Sequence, residues 1–300
     1  MSAHTYGTVD VPVDGGTLRA GVWEPVVPGP GAPTVLAVHG ITATHLAWTY
    51  LVDALPGVRV VAPDLRGRGR SNALPGPFGM ARHADDLAAV LRHLGTGPVV
   101  VVGHSMGAFA SAVLAHRHGE LVESLVLVDG GLPLEVPAGA DPDELMRAVL
   151  GPAAARLAMT FEDHEAYRDF WRRHPAFVGH LSERLGEYFD YDLEPADGTW
   201  RPSSRLEAVT GDQRELVTGE SLLPALEALA TPTLFLRAPR GLLDGDPLYT
   251  AEHVARWAAR LPITTAEVPD VNHYTIVMGP AGAAAVADRV RTPSAEVSPW

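Results

Sequence analysis

The sequence predicts an α/β fold in which a doubly wound, mostly parallel sheet carries helices on both faces and is interrupted by a helical insertion. Four short runs are apolar at nearly every position, a pattern typical of strands buried on both faces of a parallel sheet. Segments with the apolar spacing of helices separate these runs, and such alternation indicates right-handed strand–helix–strand units. The four runs are 34–38, 58–62, 98–102 and 124–128.

The elements around these runs follow in chain order. Residues 7–13 and 17–23 alternate between apolar and polar side chains, and Asp14-Gly15-Gly16 between them is typical of a tight turn, so we expect a hairpin. A loop rich in proline and glycine follows and leads to the first buried strand. Apolar residues recur at helical spacing in three segments, 45–55, 80–94 and 106–118.

The strand pattern stops after Asp129 and resumes about one hundred residues later. Residues 130–230 contain no convincing strand and many aromatic side chains, so we interpret them as a helical insertion. We therefore expect a core domain made of residues 1–130 and 231–300, and an inserted domain made of residues 131–230. The resumed pattern predicts strands at 233–237 and 263–268 and helices at 251–261 and 282–290.

The composition excludes several classes of chemistry. The chain has 300 residues, a formal net charge of −13, and neither cysteine nor lysine. Disulfides, thiolate metal sites, thiol nucleophiles, Schiff bases and phosphate-loop lysines are therefore excluded. The negative charge disfavours nucleic acids and acidic membrane surfaces as partners. No run is long enough to span a membrane and no secretory signal precedes the first strand, so we expect a cytoplasmic protein.

The strongest functional signal is Gly103-His104-Ser105-Met106-Gly107. It lies between the valine-rich strand at 98–102 and an alanine-rich helix, which is the context of a nucleophile elbow. The tight strand-to-helix turn forces the serine into a strained backbone conformation, and the flanking glycines keep side chains out of the crowded space. Ser105 then stands at the positive end of a helix as a candidate nucleophile.

A serine hydroxyl needs a base to remove its proton, and His273 is the best candidate. It follows the last predicted strand, and loops at the carboxyl ends of parallel strands gather at one edge of the sheet, where Ser105 also lies. We expect the side chain of His104 to be buried and to serve only in packing. No group of histidines and acids has the spacing of a metal site.

Two backbone N–H groups near the serine are needed to stabilise a developing negative charge. Met106, directly after the nucleophile, is expected to supply one of them. The loop that begins His39-Gly40 is expected to supply the other, because Gly40 permits an unusual backbone angle. We expect the amide of Ile41 to be that donor.

Four motifs together resemble those of the α/β-hydrolase superfamily, and their order and spacing fit nearly the whole chain. The resemblance implies an eight-stranded, mostly parallel sheet whose second strand runs antiparallel, and a helical cap inserted after the sixth strand. It also implies that Ser105 is the nucleophile and His273 the base, with Ile41 and Met106 as oxyanion donors, while the stretch 64–71 is structural. The motifs are His39-Gly40, 64–71, 103–107 and Asn272-His273-Tyr274.

The acid that orients the base has three candidates. In most members of the superfamily it lies a few residues after the seventh strand, but the corresponding turn here, 238–241, contains no acid. Asp244 and Asp246 come slightly later. Asp129 ends the sixth predicted strand, where some branches place the acid, and we favour it because a triad is defined by geometry and not by chain position. Asp244 and Asp246 stay open as alternatives.

A serine nucleophile favours acyl transfer to water, with no cofactor or metal. The resemblance thus implies a hydrolase of a small, hydrophobic carboxylic ester or lactone, with specificity set by the aromatic-rich cap. A thioesterase or carbon–carbon bond hydrolase would share every motif. A ligand-binding receptor or a non-hydrolytic enzyme on the same scaffold also stays open, and the sequence does not predict the oligomeric state. The side chains expected to contact substrate are Trp48, Leu132, Phe161, Tyr167, Phe170, Trp171 and Tyr188.

Overall fold

The computed structural model describes residues 3–28, 33–135 and 155–291. The strands in these residues are β1 His4–Val13, β2 Gly16–Pro25, β3 Thr34–Val38, β4 Arg59–Pro63, β5 Val99–His104, β6 Val122–Val128, β7 Leu193–Ala196, β8 Thr199–Pro202, β9 Thr233–Arg237 and β10 Ile263–Glu267. Eight of them form one sheet in the order β1-β2-β4-β3-β5-β6-β9-β10. The β1–β2 and β2–β4 pairs are antiparallel and the other pairs of this sheet are parallel. The predicted eight-stranded sheet with an antiparallel second strand is confirmed.

The valines of β5 show why continuous apolar runs predict a sheet covered on both sides. Val99 and Val101 belong to one buried apolar cluster, whereas Val100 and Val102 belong to a second one. Successive side chains of a strand point to opposite faces, so a strand between two apolar layers must be apolar at every position.

Helices form both layers. The helices of the described residues are α1 Thr49–Ala54, α2 Met80–His93, α3 Met106–Arg117, α4 His164–Arg172, α5 Glu183–Tyr191, α6 Leu206–Thr218, α7 Leu222–Glu227, α8 Ala251–Ala258, α9 Thr275–Met278 and α10 Pro280–Arg291. Side chains of α2, α3, α7 and α8 join the first cluster, and those of α1, α9 and α10 join the second. The helix predicted at 45–55 begins as a 3-10 turn, His45–Trp48, ahead of α1. Within the described ranges, no helix has the length and apolarity needed to cross a membrane.

The prediction that residues 130–230 contain no strand is wrong. β7 and β8 form an antiparallel hairpin there, with Leu193 opposite Pro202. Asp197 and Gly198 make its two-residue turn with positive φ angles of 47° and 82°, and Asp-Gly is a preferred pair for such a turn. The hairpin escapes a search for alternating residues because each strand has four residues and carries a proline. We call residues 155–230, which hold this hairpin and α4 to α7, the inserted segment.

Candidate active site

Ser105 lies in the sharp turn between β5 and α3. Its backbone has φ +53° and ψ −126°, a conformation that residues with side chains rarely adopt. The Ser105 amide donates to the carbonyl oxygen of Val128 at 3.0 Å, so β6 holds the strained turn in place. Because α3 begins at the next residue, Met106, Ser105 stands at the positive end of the helix dipole.

Close packing around the elbow explains its two glycines. A Cβ on Gly103 would lie 2.5 Å from the Cα of Ala108. A Cβ on Gly107 would lie 2.1 Å from the carbonyl oxygen of Val38, on the neighbouring strand. Both distances are far below van der Waals contact, so a side chain at either position would push the elbow off the sheet.

The structure brings His273 and Asp129 together. Their Nδ1 and Oδ2 atoms are 2.7 Å apart, and both side chains are buried. The second oxygen of Asp129 accepts from the Ala238 amide at 3.1 Å, and the Asp129 amide donates to the carbonyl oxygen of Leu236 at 2.7 Å. Since a carboxylate only accepts, Nδ1 of His273 carries the proton, and Nε2 keeps the lone pair that a base requires.

The other two acids suggested by the sequence take different positions. The carboxylate of Asp244 accepts from Asn272 Nδ2 at 2.9 Å, and its side chain is 38% exposed. Asp246 forms no hydrogen bond or ion pair with His273 in the described part of the chain. Of the three candidates, Asp129 is the one whose carboxylate lies beside the candidate base.

Asn272 fixes the loop that carries His273. Its Oδ1 accepts from the backbone amides of Tyr274 and Thr275 at 3.0 and 2.9 Å, which holds the turn that leads into α9. Its Nδ2 donates to the carbonyl oxygen of Ala176, in the inserted segment, at 2.9 Å. The loop that carries His273 is thus tied to the inserted segment, a contact that the sequence motif alone does not reveal.

His104 has a role that sequence reasoning missed. It is 5% exposed, in line with the expected packing, yet it also lines a cavity beside Ser105. Its Nε2 lies 2.7 Å from the carbonyl oxygen of His273, and the two ring centres are 4.7 Å apart. Burial, and then the charge of His273, hold the pKa of His104 well below its usual range. His104 is therefore neutral, with its proton on Nε2.

His39 orients the peptide that carries the Ile41 amide. Its Nδ1 lies 2.8 Å from the carbonyl oxygen of Gly40, and its Nε2 accepts from the Leu65 amide at 3.0 Å. Burial lowers the pKa of His39 to about 4, so at neutral pH the ring is uncharged and its proton is on Nδ1. In a trans peptide the N–H points opposite to the C=O, so the Ile41 N–H is turned away from His39. Gly40 and Ile41 both line the cavity beside Ser105.

Both candidate oxyanion amides are available to a ligand. Among the hydrogen bonds between described residues, none uses the N–H of Ile41 or of Met106. Met106 is the first residue of α3, where backbone N–H groups have no partner within the helix. The arrangement can therefore offer two donors to a negative charge that develops next to Ser105.

A cavity of about 40 Å³ adjoins Ser105 and His273. This volume leaves room for a reacting group beside Ser105. Of the seven side chains expected to contact substrate, Trp171 and Tyr188 line it. Across the described ranges, no group of three or more His, Asp or Glu could hold a metal ion. The other lining residues are Gly40, Ile41, Thr42, Ala43, Ala47, His104, Leu242, Tyr274 and Met278.

The other five expected contacts lie outside this lining. Leu132 and Trp48 are fully buried, one in each of the two apolar clusters of the sheet. Tyr167 is fully buried, and its hydroxyl donates to a buried carboxylate of the inserted segment. Phe161 and Phe170 pack around Tyr167, with ring centres 4.7 and 6.3 Å from it. These three aromatic rings pack against one another, because an insertion also needs a core of its own.

Curated proteins similar to this chain include hydrolases of several kinds. The 2-(acetamidomethylene)succinate hydrolase of Mesorhizobium japonicum is 28% identical over 83% of this chain and 84% of its own length. The 3-hydroxybutyrate-oligomer hydrolase of Cupriavidus necator is 30% identical over 84% of this chain and 86% of its own length. Lipase LipV of Mycobacterium tuberculosis is 38% identical, but the match spans 43% of this chain and half of the lipase.

Solved structures and a family model agree on the fold. The crystal structure of E-2-(acetamidomethylene)succinate hydrolase superposes with a TM-score of 0.78 at 24% identity, covering 96% of this chain and 100% of the other. The thioesterase domain from the curacin biosynthetic pathway gives a TM-score of 0.74 at 22% identity, with the same coverage. The family model for the alpha/beta hydrolase fold matches residues 33–280. Because that match spans most of the chain and includes the elbow, the chain belongs to the α/β-hydrolase superfamily.

Proposed function

We propose that this chain is a serine hydrolase that cleaves a hydrophobic carboxylic ester or lactone through an acyl-enzyme on Ser105. The observation that carries the proposal is the 2.7 Å contact between His273 Nδ1 and Asp129 Oδ2, next to a cavity that His273 and Ser105 both line. This contact selects the histidine tautomer whose Nε2 can take a proton. The hydrolase and lipase names of the curated relatives support the reaction class.

In acylation, Ser105 Oγ attacks the carbonyl carbon while His273 Nε2 takes the hydroxyl proton. The carbonyl electrons move onto its oxygen, which the amides of Ile41 and Met106 stabilise. Asp129 stabilises the imidazolium that forms. Collapse of the tetrahedral intermediate breaks the bond to the leaving oxygen, which receives the proton from His273.

In deacylation, His273 removes a proton from water as the water oxygen adds to the acyl carbon, and Ser105 then leaves with that proton. Neutral His104 lies with its ring centre 4.7 Å from that of His273, so the imidazolium forms without a second positive charge beside it. His104 also donates to the His273 carbonyl oxygen, which holds the base in place during both half-reactions.

The cavity lining supports an apolar substrate. Its described residues include no carboxylate and no guanidinium, so the groups next to the scissile bond are expected to be neutral. We propose Trp171 and Tyr188 as substrate contacts and residues 131–230 as the cap that carries them. Burial raises the pKa of the Tyr188 hydroxyl, so it stays protonated and can donate to a substrate oxygen.

The first test is hydrolysis of p-nitrophenyl acetate, butyrate and octanoate by wild type, Ser105→Ala and a matched control, Ser124→Ala. Ser124 is buried on β6, and its hydroxyl has no hydrogen-bond partner in the described part of the chain, so its removal should leave turnover unchanged. Turnover by wild type and Ser124→Ala, with Ser105→Ala at background, supports the proposal. The preferred acyl length then measures the room available beside Ser105.

Other outcomes lead to different conclusions. If wild type cleaves none of these esters, the same three proteins are tested with a lactone, a thioester and a β-diketone. If only the thioester or only the β-diketone is cleaved, and cleavage depends on Ser105, the proposed substrate class becomes a thioester or a carbon–carbon bond in place of an ester. Tight ligand binding without turnover indicates a binding protein, and activity retained by Ser105→Ala refutes the serine mechanism.

A further inference from the structure

The stretch 64–71, to which the proposed function gives no role, places a buried arginine against both candidate oxyanion residues. Arg68 is fully buried. Its Nε donates to the carbonyl oxygen of Ile41 at 2.9 Å, and its Nη2 lies 3.9 Å from the Sδ of Met106. One planar guanidinium thus contacts the two residues whose amides are assigned to the oxyanion.

The contact with Ile41 completes a pair of restraints on its backbone. The Ile41 N–H and the Gly40 carbonyl belong to the same peptide group. His39 Nδ1 lies 2.8 Å from the Gly40 carbonyl oxygen and so restrains this group. The next carbonyl, that of Ile41 itself, is held by Arg68. On the other side of the site, the weaker sulfur contact restrains Met106 at the first residue of α3.

The inserted segment holds Arg68 in this position. Asp212, on α6, lies 2.5 Å from Nη1 of Arg68. The Asp212 carboxylate also accepts from the Gly79 amide at 2.6 Å and lies 2.9 Å from Nε2 of His83. Burial alone would raise the pKa of Asp212, but the charges of His83 and Arg68 lower it, so the carboxylate stays ionised. A buried cation needs such a partner, and here the partner belongs to a different part of the chain.

We propose that Arg68 is a positioning residue of the oxyanion hole, which sets the directions of the Ile41 and Met106 amides and is itself placed by Asp212. This inference rests on the proposed serine hydrolase function. A guanidinium presents its N–H groups in fixed directions, whereas a lysine ammonium on a flexible chain does not. Loss of Arg68 should therefore slow the step that forms the oxyanion and leave ground-state binding unchanged.

The test uses the full chain and a fluorophosphonate, whose reaction forms a tetrahedral adduct without the natural substrate. Ser105 Oγ attacks phosphorus, the P–F bond breaks, fluoride leaves, and His273 takes the hydroxyl proton. The labelling rates of wild type, Arg68→Lys and Arg66→Lys are compared. Arg66 is the matched control, because it is equally buried in the same stretch but its guanidinium pairs with Asp86 at 2.8 Å.

We expect Arg68→Lys to lower the maximal labelling rate about 10-fold to 100-fold, while the half-saturating concentration of the probe changes less than about 3-fold. Arg66→Lys should label like wild type. Equal loss in both variants, or no loss in Arg68→Lys, would overturn the inference and leave the serine hydrolase intact. If wild type itself does not label, the proposed function fails and this inference fails with it.

A second variant covers the case in which Arg68→Lys does not fold, as judged by near-ultraviolet circular dichroism. Met106→Leu conserves volume and keeps the backbone amide, but it removes the sulfur that contacts Arg68. We expect its maximal labelling rate to fall about 3-fold to 10-fold at unchanged half-saturation. Labelling at the wild-type rate would overturn the inference.

Discussion

Replacement of Asp129 by asparagine should remove most turnover without unfolding the protein. The carboxylate accepts twice: Oδ2 lies 2.7 Å from His273 Nδ1, and Oδ1 accepts from the Ala238 amide at 3.1 Å. Asparagine has one acceptor oxygen and one NH2 group, so it can satisfy only one of these contacts. If its oxygen stays on Ala238, its NH2 faces His273, and the ring must carry its proton on Nε2 to accept from it. That tautomer cannot act as the base.

The other orientation of the asparagine is no better. Its oxygen would then face His273, but its NH2 would oppose the Ala238 N–H in a buried site, and an unsatisfied buried donor costs about 1–3 kcal/mol. The first orientation is therefore favoured. Forcing the wrong tautomer on a serine triad costs on the order of 10⁴-fold in kcat, which is about 5.4 kcal/mol at about 1.36 kcal/mol per tenfold. KM should change little, because Asp129 does not line the cavity beside Ser105.

The assay is steady-state hydrolysis of a p-nitrophenyl ester by wild type, Asp129→Asn and Asp244→Asn, with thermal unfolding as a check of the fold. Asp244→Asn is the matched control, since it makes the same change on a carboxylate that contacts Asn272 instead of the base. We expect the turnover of Asp244→Asn to stay within about 5-fold of wild type, because a partly exposed polar contact contributes little. Turnover of Asp129→Asn within about 10-fold of wild type would refute the assignment. A loss confined to Asp244→Asn would move the acid to the loop after β9.

A buried histidine, the elbow and the base loop each give a measurable outcome. Because the pKa of His39 in the folded state, about 4, lies below its ordinary value of 6.5, the unfolded chain takes up the proton first. The unfolding free energy should therefore fall by about 1.4 kcal/mol per pH unit as the pH drops from 6.5 to about 4. Denaturant titrations at several pH values should show that this free energy depends less on pH in His39→Gln. Gly107→Ala should abolish ester turnover and lower stability by about 1–3 kcal/mol, while Gly119→Ala, where nothing lies within 4 Å of the added Cβ, should change neither. Asn272→Ala should lower kcat and reduce the free energy of unfolding by about 1–3 kcal/mol, measured by thermal unfolding, because it frees the loop that carries His273 and leaves the amides of Tyr274 and Thr275 without their partner.

Much of the fold could be predicted because burial on both faces leaves few choices of residue. The side chains of Val99 to Val102 face the two apolar layers alternately, so the run must be apolar throughout, and this pattern locates β5 to within a residue or two. The elbow is predictable for a related reason. The carbonyl oxygen of Val38 leaves no room for a side chain at Gly107, so the local geometry requires that glycine.

The aromatic residues that line the cavity could not be predicted in the same way. Tyr167 and Trp171 are four residues apart on α4 and therefore share one face of that helix. That face buries Tyr167 among other rings of the inserted segment and brings Trp171 to the cavity beside Ser105. Helical spacing identifies which residues are buried but not what they contact, so the sequence predicts the same role for both.

The identity of the acid stays open in the sequence because β6 and β9 are neighbours in the sheet. Val128 pairs with Leu236 in a parallel ladder, so the residues that follow both strands reach the same edge, and a carboxylate from either could approach the base. In this chain the end of β6 supplies the carboxylate, and the end of β9 supplies a backbone donor, because the Ala238 amide binds Asp129. The turn 238–241 contains no acid. The two strand ends therefore supply different parts of one hydrogen-bonded unit: the carboxylate follows β6 and its backbone donor follows β9. Because the two strand ends are adjacent, a carboxylate at the end of either strand could make the same contact with the imidazole.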